Sequence, residues 1–155
     1  MIDRNLAAAR QGPVSASSAD GAGGEAGLVM RRIVIIDDEP LILRATQRLL
    51  QALGHRARTY VDGRVAVELM RWERADVVLV DLHMSHMDGI QVLCRLLALS
   101  HAPAVIVMSG DGKVLVQARL AELGLAGQVG YLGKPFTVVE LEEALVGALQ
   151  GRPSH

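Results

Sequence analysis

Four short apolar runs in this chain each lead into polar residues of a different kind. Ile33 to Ile36 runs into Asp37 and Asp38, Val77 to Val80 into Asp81, Val105 to Met108 into Ser109, and Val129 to Leu132 is followed closely by Lys134. If the runs are parallel strands of one sheet, their C-terminal ends share an edge. Carboxylates, a hydroxyl and an ammonium then converge on the crevice where open α/β sheets place their ligands. Three uncompensated carboxylates would repel one another and raise at least one pKa. A divalent cation and Lys134 remove that problem, because carboxylates at −3, magnesium at +2 and lysine at +1 sum to zero. Magnesium suits such a site, since it takes one or two carboxylates, several waters and phosphate oxygens rather than a full protein cage.

A carboxylate facing a cation, a lysine and a hydroxyl can attack a phosphoryl group and form an acyl phosphate. Cation and ammonium would offset charge on the transferring group, while Ser109 donates a hydrogen bond to one of its oxygens. Asp81 is the natural nucleophile because it ends the central run alone. Asp37 and Asp38 are adjacent and better placed to hold the metal and its waters. Asp37-Asp38 alone would read as a turn and helix cap; the register with Asp81, Ser109 and Lys134 favours the chemical reading.

These side chains need strands and helices in alternation, and the pattern from Arg32 onward supplies them. Leu41, Ala45, Leu49 and Leu53 recur at helical spacing and stop at Gly54. Arg56 to Val61 is a weaker, more polar strand, as expected at a sheet edge. Asp62 is expected to cap a helix through Trp72, and Ala75 to Val80 forms the third strand. Asp88 caps a helix through about Leu99, Pro103 precedes the fourth strand, and Asp111 is expected to cap the next helix through Leu123. Thr137 and Glu140 have capping-box spacing, with Val138, Leu141, Leu145 and Leu149 on one apolar face. The sum is five βα units, a doubly wound α/β fold with parallel strands and right-handed crossovers.

The 155 residues suit one domain, which buries roughly 70% of its unfolded surface. Half the residues are hydrophobic and only 3% aromatic, so the core must come from Val, Ile, Leu and Ala. A net charge of −1, with no basic run beyond Arg31-Arg32, argues against nucleic acid binding. Cys94 is the single cysteine, which excludes an intramolecular disulfide and a cysteine zinc site. No apolar stretch reaches the ~18 residues of a membrane span, and no leader pattern opens the chain. A cytoplasmic protein is expected. Residues 1–30, rich in Ala, Gly and Ser, read as a flexible tail; Met30 can equally be the start of the functional chain, the alternative being a linker or docking arm. Residues 31–150 form the folded unit, and 151–155 a frayed end.

The chain resembles the receiver domain of bacterial two-component response regulators from about Arg31 to Leu149. The pieces that carry the likeness are Ile-Ile-Asp-Asp-Glu-Pro at 35–40, Val-Asp-Leu-His-Met-Ser-His-Met-Asp-Gly at 80–89, Met-Ser-Gly at 108–110 and Tyr-Leu-Gly-Lys-Pro-Phe at 131–136. Each is weak alone; all four in order are specific. The resemblance implies a flavodoxin-like strand order of 2-1-3-4-5. It also implies a phosphoryl group accepted by Asp81 from a phosphohistidine on a sensor histidine kinase or phosphotransfer protein. Asp38, Asp81 and the backbone carbonyl of His83 would ligate Mg2+, with Asp37 acting through water, and Ser109 and Lys134 would contact phosphoryl oxygens. It implies a cis Lys134-Pro135 bond and a switch in which Ser109 moves and Tyr131 turns inward. That movement would change the face of the fourth helix, fifth strand and fifth helix that an unidentified partner, or a second copy of the chain, reads.

The chain departs from the family pattern at several points. Ser85 stands where proline is common, so the loop after Asp81 is expected to be less rigid. His83 and Asp111 each lie two positions past a site residue and are expected to tune the phosphoryl lifetime. The Ser109-to-Lys134 spacing of 25 is longer than usual, with the extra length near Gly124 to Gly127. His83 and His86 read as exposed loop histidines rather than zinc ligands. Gly110-Asp111-Gly112-Lys113 fails as a phosphate loop, because Val107 and Val114 occupy required glycine and hydroxyl positions. Cys94 reads as helix packing.

A phosphorylation-controlled interaction or relay module is therefore expected, one that signals rather than turning over substrate. A small aspartyl-phosphate phosphatase would usually need an acid/base Asp where His83 stands. A constitutive scaffold would have no need of the full acceptor, metal and lysine set.

Overall fold

The computed structural model of the chain describes residues 29–151. Apart from Val29, Met30 and Gly151, the tail read at 1–30 and the frayed end read at 151–155 lie outside the described residues. Five strands alternate with five helices: β1 (Arg32–Ile36), α1 (Pro40–Ala52), β2 (Arg56–Tyr60), α2 (Gly63–Met70), β3 (Val77–Asp81), α3 (Gly89–Leu97), β4 (Ala104–Ser109), α4 (Lys113–Glu122), β5 (Gly130–Gly133) and α5 (Val138–Gln150). Every strand pairing is parallel, and the order is β2-β1-β3-β4-β5. This is the doubly wound sheet the sequence pattern predicts.

Successive side chains of a strand point to opposite faces of the sheet. β1 thus sends Ile33 and Ile35 to one core and Val34 and Ile36 to the other; β3 divides Val77 and Leu79 from Val78 and Val80 in the same way. Leu43 and Leu50 of α1, with Leu141 and Leu145 of α5, close the first face. Met70 of α2, Leu93 and Leu96 of α3, and Val116 and Leu120 of α4 close the second. With both faces covered, the inner strands are continuous apolar runs. β2 at the edge carries exposed Arg56 and Arg58 instead.

Three predicted caps are in place. Asp62 accepts from the Arg64 N–H at 2.8 Å, Asp88 from the Ile90 N–H at 3.0 Å, and Thr137 with Glu140 forms a complete capping box. Asp111 does not cap α4; Gly112 stands at that position, and the Asp111 carboxylate is engaged by His83 instead. The stripe at Leu41, Ala45, Leu49 and Leu53 is not the buried face of α1. Leu41 is 72% exposed, and the helix buries Leu43, Thr46 and Leu50. A buried threonine in the middle of the true face hid it from a hydrophobicity reading. Likewise Val138 is exposed while Leu141 and Leu145 are buried. α2 ends at Met70, two residues before the expected Trp72, and Trp72 is exposed. Cys94 is exposed rather than packed, because α3 turns Val92, Leu93 and Leu96 to the core.

One close approach ties this frame to the sheet edge. A Cβ built at Gly89, the first residue of α3, would lie 2.1 Å from the Asp81 carbonyl oxygen and 2.6 Å from Leu82 Cα. Only glycine lets the α3 N-terminus pack on the backbone that follows β3. Gly147 in α5 meets nothing within 4 Å. Gly89→Ala is expected to lower stability by roughly 1–3 kcal/mol through overpacking against backbone. Gly147→Ala is expected to raise it by roughly 0.5–1 kcal/mol through helix propensity. Urea midpoints of the two variants, moving in opposite directions at constant m-value, check both.

Candidate functional site

Ile36 pairs with Val80, so Asp37, the residue after β1, and Asp81, the last of β3, stand side by side at the ends of adjacent strands. Asp81 in turn pairs with Met108, which sets Ser109 one residue beyond it on β4. Ser109 pairs with Gly133, the residue before Lys134, and the Lys134 N–H donates to the Ser109 carbonyl at 2.8 Å. Parallel register therefore gathers all the polar run endings on one edge. The Lys134-Pro135 bond is cis, as the family resemblance implies.

The gathered groups are in contact. Carboxylate oxygens of Asp37, Asp38 and Asp81 lie within 4.8 Å of one another, the one cluster of three potential metal ligands among the described residues. Lys134 Nζ donates to Asp37 Oδ2 at 2.6 Å and lies 3.2 Å from Asp81 Oδ1. Asp37 is fully buried, and its Oδ1 accepts from the Glu39 N–H at 2.9 Å, so burial leaves neither oxygen unsatisfied. Asp38 Oδ2 accepts from the Ser85 N–H at 2.6 Å. The loop in which serine replaces proline is thereby tied back to β1, through a donor that proline lacks.

Burial pushes the Asp81 carboxyl above the usual carboxylate range, and the Asp37 charge adds to the rise, although Lys134 opposes it. Burial draws the Lys134 ammonium down, yet its hydrogen bond and charge attraction to Asp37, with Asp81 adding to both, hold it above the ordinary lysine value. The hydrogen bond from the Ser85 N–H holds Asp38 below the ordinary value. Two anions thus share one ammonium in a desolvated pocket, and Asp38 brings a third charge to its mouth. An all-oxygen set of this kind fits a hard cation such as Mg2+.

Beside the acids, Asp111 organises a second group of contacts that sequence spacing does not reveal. Its N–H donates to Ser109 Oγ at 3.0 Å, its carbonyl accepts from the Tyr131 hydroxyl at 2.7 Å, and its Oδ2 lies 2.6 Å from His83 Nε2. Ser109 is fully buried and Tyr131 half-buried. His83 and His86 are both exposed, as read. Asp88, besides capping α3, accepts from Arg119 of α4 at 3.0 Å. No sequence signal singles out Arg119, whose relation to Asp88 depends on how α4 crosses the sheet edge.

The raised Asp81 pKa means that the folded protein holds this proton more tightly than the unfolded chain. Ionising Asp81 therefore costs stability; the cost is absent below the ordinary carboxylate range and complete above the raised pKa. The raised Lys134 pKa contributes stability that is present at neutral pH and lost only above the ordinary lysine range. In metal-free buffer at pH 7, Asp81→Asn is expected to raise the thermal midpoint by several degrees. That gain should shrink as pH falls through the carboxylate range, which differential scanning calorimetry across pH checks.

This chain is 32% identical over 130 residues to the transcriptional regulatory protein PrrA of Mycobacterium bovis, a match that covers 84% of this chain and 54% of PrrA. It thus spans about half the length of that relative. It is 27% identical to the sporulation initiation phosphotransferase F of Bacillus subtilis, over 76% of this chain and 93% of that protein. In fold it is similar to the receiver domain of a sensor histidine kinase from Pseudomonas aeruginosa, solved with a magnesium ion coordinated in its active-site cleft. The TM-score is 0.66 at 24% identity, covering 78% of this chain and 98% of that one. The strand order, the clustered acids and the lysine beyond β5 agree with a match to the response regulator receiver domain over residues 33–146, and the chain belongs to that family.

Proposed function

We propose that residues 31–150 form a phosphorylation-controlled receiver unit in which Asp81 accepts a phosphoryl group from the phosphohistidine of a sensor kinase or phosphotransfer protein. One observation carries the reading: the Lys134 ammonium lies between Asp37 and Asp81, with Asp38 completing an oxygen cluster beside them. Asp38 and Asp81, with the His83 backbone carbonyl, would hold Mg2+, and Asp37 would hold one of its waters. When bound, the cation supplies positive charge that offsets the phosphoryl oxygens. Asp81 attacks phosphorus, the phosphorus–nitrogen bond to the donor histidine breaks, and the acyl phosphate remains on the carboxylate. Lys134 and the Ser109 hydroxyl bind the transferred oxygens.

Ser109 is also the residue through which the switch would begin. To reach a phosphoryl oxygen its hydroxyl gives up the hydrogen bond from the Asp111 N–H, whose carbonyl anchors Tyr131. Ser109 and Tyr131 therefore move as a pair, biasing a two-state element at the α4-β5-α5 face that a partner reads. The relative that is a phosphotransferase supports relay as one use of the same chemistry.

Incubation with a small-molecule phosphodonor and magnesium is expected to add one phosphoryl mass to the wild type. Asp81→Asn or chelation with EDTA should abolish the gain, and Lys134→Met should slow it by about a hundredfold or more, in line with loss of a charge that stabilises the transition state. Absence of the gain under conditions that label another receiver would favour a phosphorylation-independent scaffold. Tyr131→Ala is expected to keep the mass gain but lose the phosphorylation-dependent change in hydrogen exchange over α4, which separates acceptor chemistry from switching.

A further inference from the structure

The groove beside α2 is not used by the site described above. α2 has eight residues and so extends about 12 Å at 1.5 Å per residue. Its early stop at Met70 leaves a cavity of about 480 Å³ against the first residues of β1 and β2. Buried Val34 and Met70 give it an apolar floor, and Trp72, 83% exposed, forms part of its wall. Arg32, Arg56, Arg58 and Arg74 also line it. Arg58 pairs with Glu73 and Arg32 with Asp76, so four cations against two carboxylates leave +2, in a chain whose total is −1. These arginines are dispersed in sequence, which is why no basic run announces them.

The chemistry of this lining is specific. Guanidinium forks match the oxygens of a phosphate. An indole left in water, at the rim of an apolar pocket, offers its face to a flat ring. A bare phosphate has no use for the indole, and an acidic peptide need carry no flat ring for it. The volume suits a small organic ligand. From these features we infer that the groove binds a nucleotide, with its base stacked on Trp72 and its phosphates on the arginines. Arg32 and Arg56 open their strands, whereas Asp37 directly follows the last residue of β1 and Asp81 is the last of β3. The nucleotide is thus a ligand of the opposite sheet edge, and the inference stands independently of phosphorylation at Asp81.

Trp72 is the single tryptophan of the chain, so its fluorescence reports on the groove alone. The full chain in EDTA, titrated with GMP, GTP and ATP, is expected to show saturable quenching with a Kd between about 10 μM and 1 mM. Uncharged guanosine and inorganic pyrophosphate should each bind at least about tenfold more weakly, because each satisfies only half of the site. Arg56→Glu with Arg74→Glu, both at exposed positions, should weaken nucleotide binding by about tenfold or more and leave circular dichroism and Asp81 phosphorylation unchanged. Calorimetric titration of Trp72→Leu should show the same loss. Four results would each overturn the inference: no saturable signal to about 5 mM nucleotide, pyrophosphate equal to GTP, undiminished affinity in the arginine variant, or tighter binding of single-stranded RNA or an acidic peptide.

Discussion

Asp37 and Asp81 lie almost wholly out of water on neighbouring strands, and the Lys134 ammonium within 2.6 and 3.2 Å of them is the charge that makes their burial tolerable. An ionised carboxylate without such a partner would cost several kcal/mol in this setting. The three groups come from β1, β3 and the turn after β5, so the ion cluster forms only when the sheet has closed through β4. Sheet order and site are thus one constraint. The parallel register delivers Lys134 to the acids, and the acids give the residue after β5 a fixed place. Compensation is incomplete, since one ammonium pairs with two carboxylates and Asp38 lies beside them as a third. Burial, with the Asp37 charge adding to it, raises the Asp81 pKa against the pull of Lys134, and the three clustered carboxylates fit a hard cation.

Around this cluster the helices are held unequally. α1 and α5 seal one face with Leu43, Leu50, Leu141 and Leu145, and α3 sets five buried residues on the other. α4 buries only Val116 and Leu120 and exposes Val114 and Leu115. Its remaining ties are polar: Arg119 to Asp88 and, just before the helix, Asp111 to His83, Ser109 and Tyr131. A helix with little apolar burial and a few hydrogen bonds is an element whose position a small change in free energy can shift. Those bonds end on the loops that carry the site.

Where local pattern misled, the reason lies in side chains whose partners are remote in sequence. Thr46 sits in the buried face of α1 and broke its apolar period. Asp111 has the spacing of a helix cap, yet its carboxylate is engaged by His83, 28 residues away. α2 stops before Trp72 and leaves the indole in water beside arginines of two strands. Asp62, Asp88 and the Thr137-Glu140 box were legible because a cap is a contact within three residues.

The sequence by itself determined the alternation of strands and helices, because a buried parallel strand must be an apolar run and a covering helix must carry an apolar face. It also determined which residues end those runs, and hence the composition of the carboxylate, hydroxyl and lysine set. Only the tertiary structure decided which groups come together: that Lys134 bridges Asp37 and Asp81, that Asp111 joins Ser109, Tyr131 and His83, and that dispersed arginines line one groove with Trp72. Periodicity and capping are governed by forces that act over a few residues. Charge compensation, desolvation and long-range hydrogen bonds depend on distances between distant segments, and those distances exist only once the sheet is assembled.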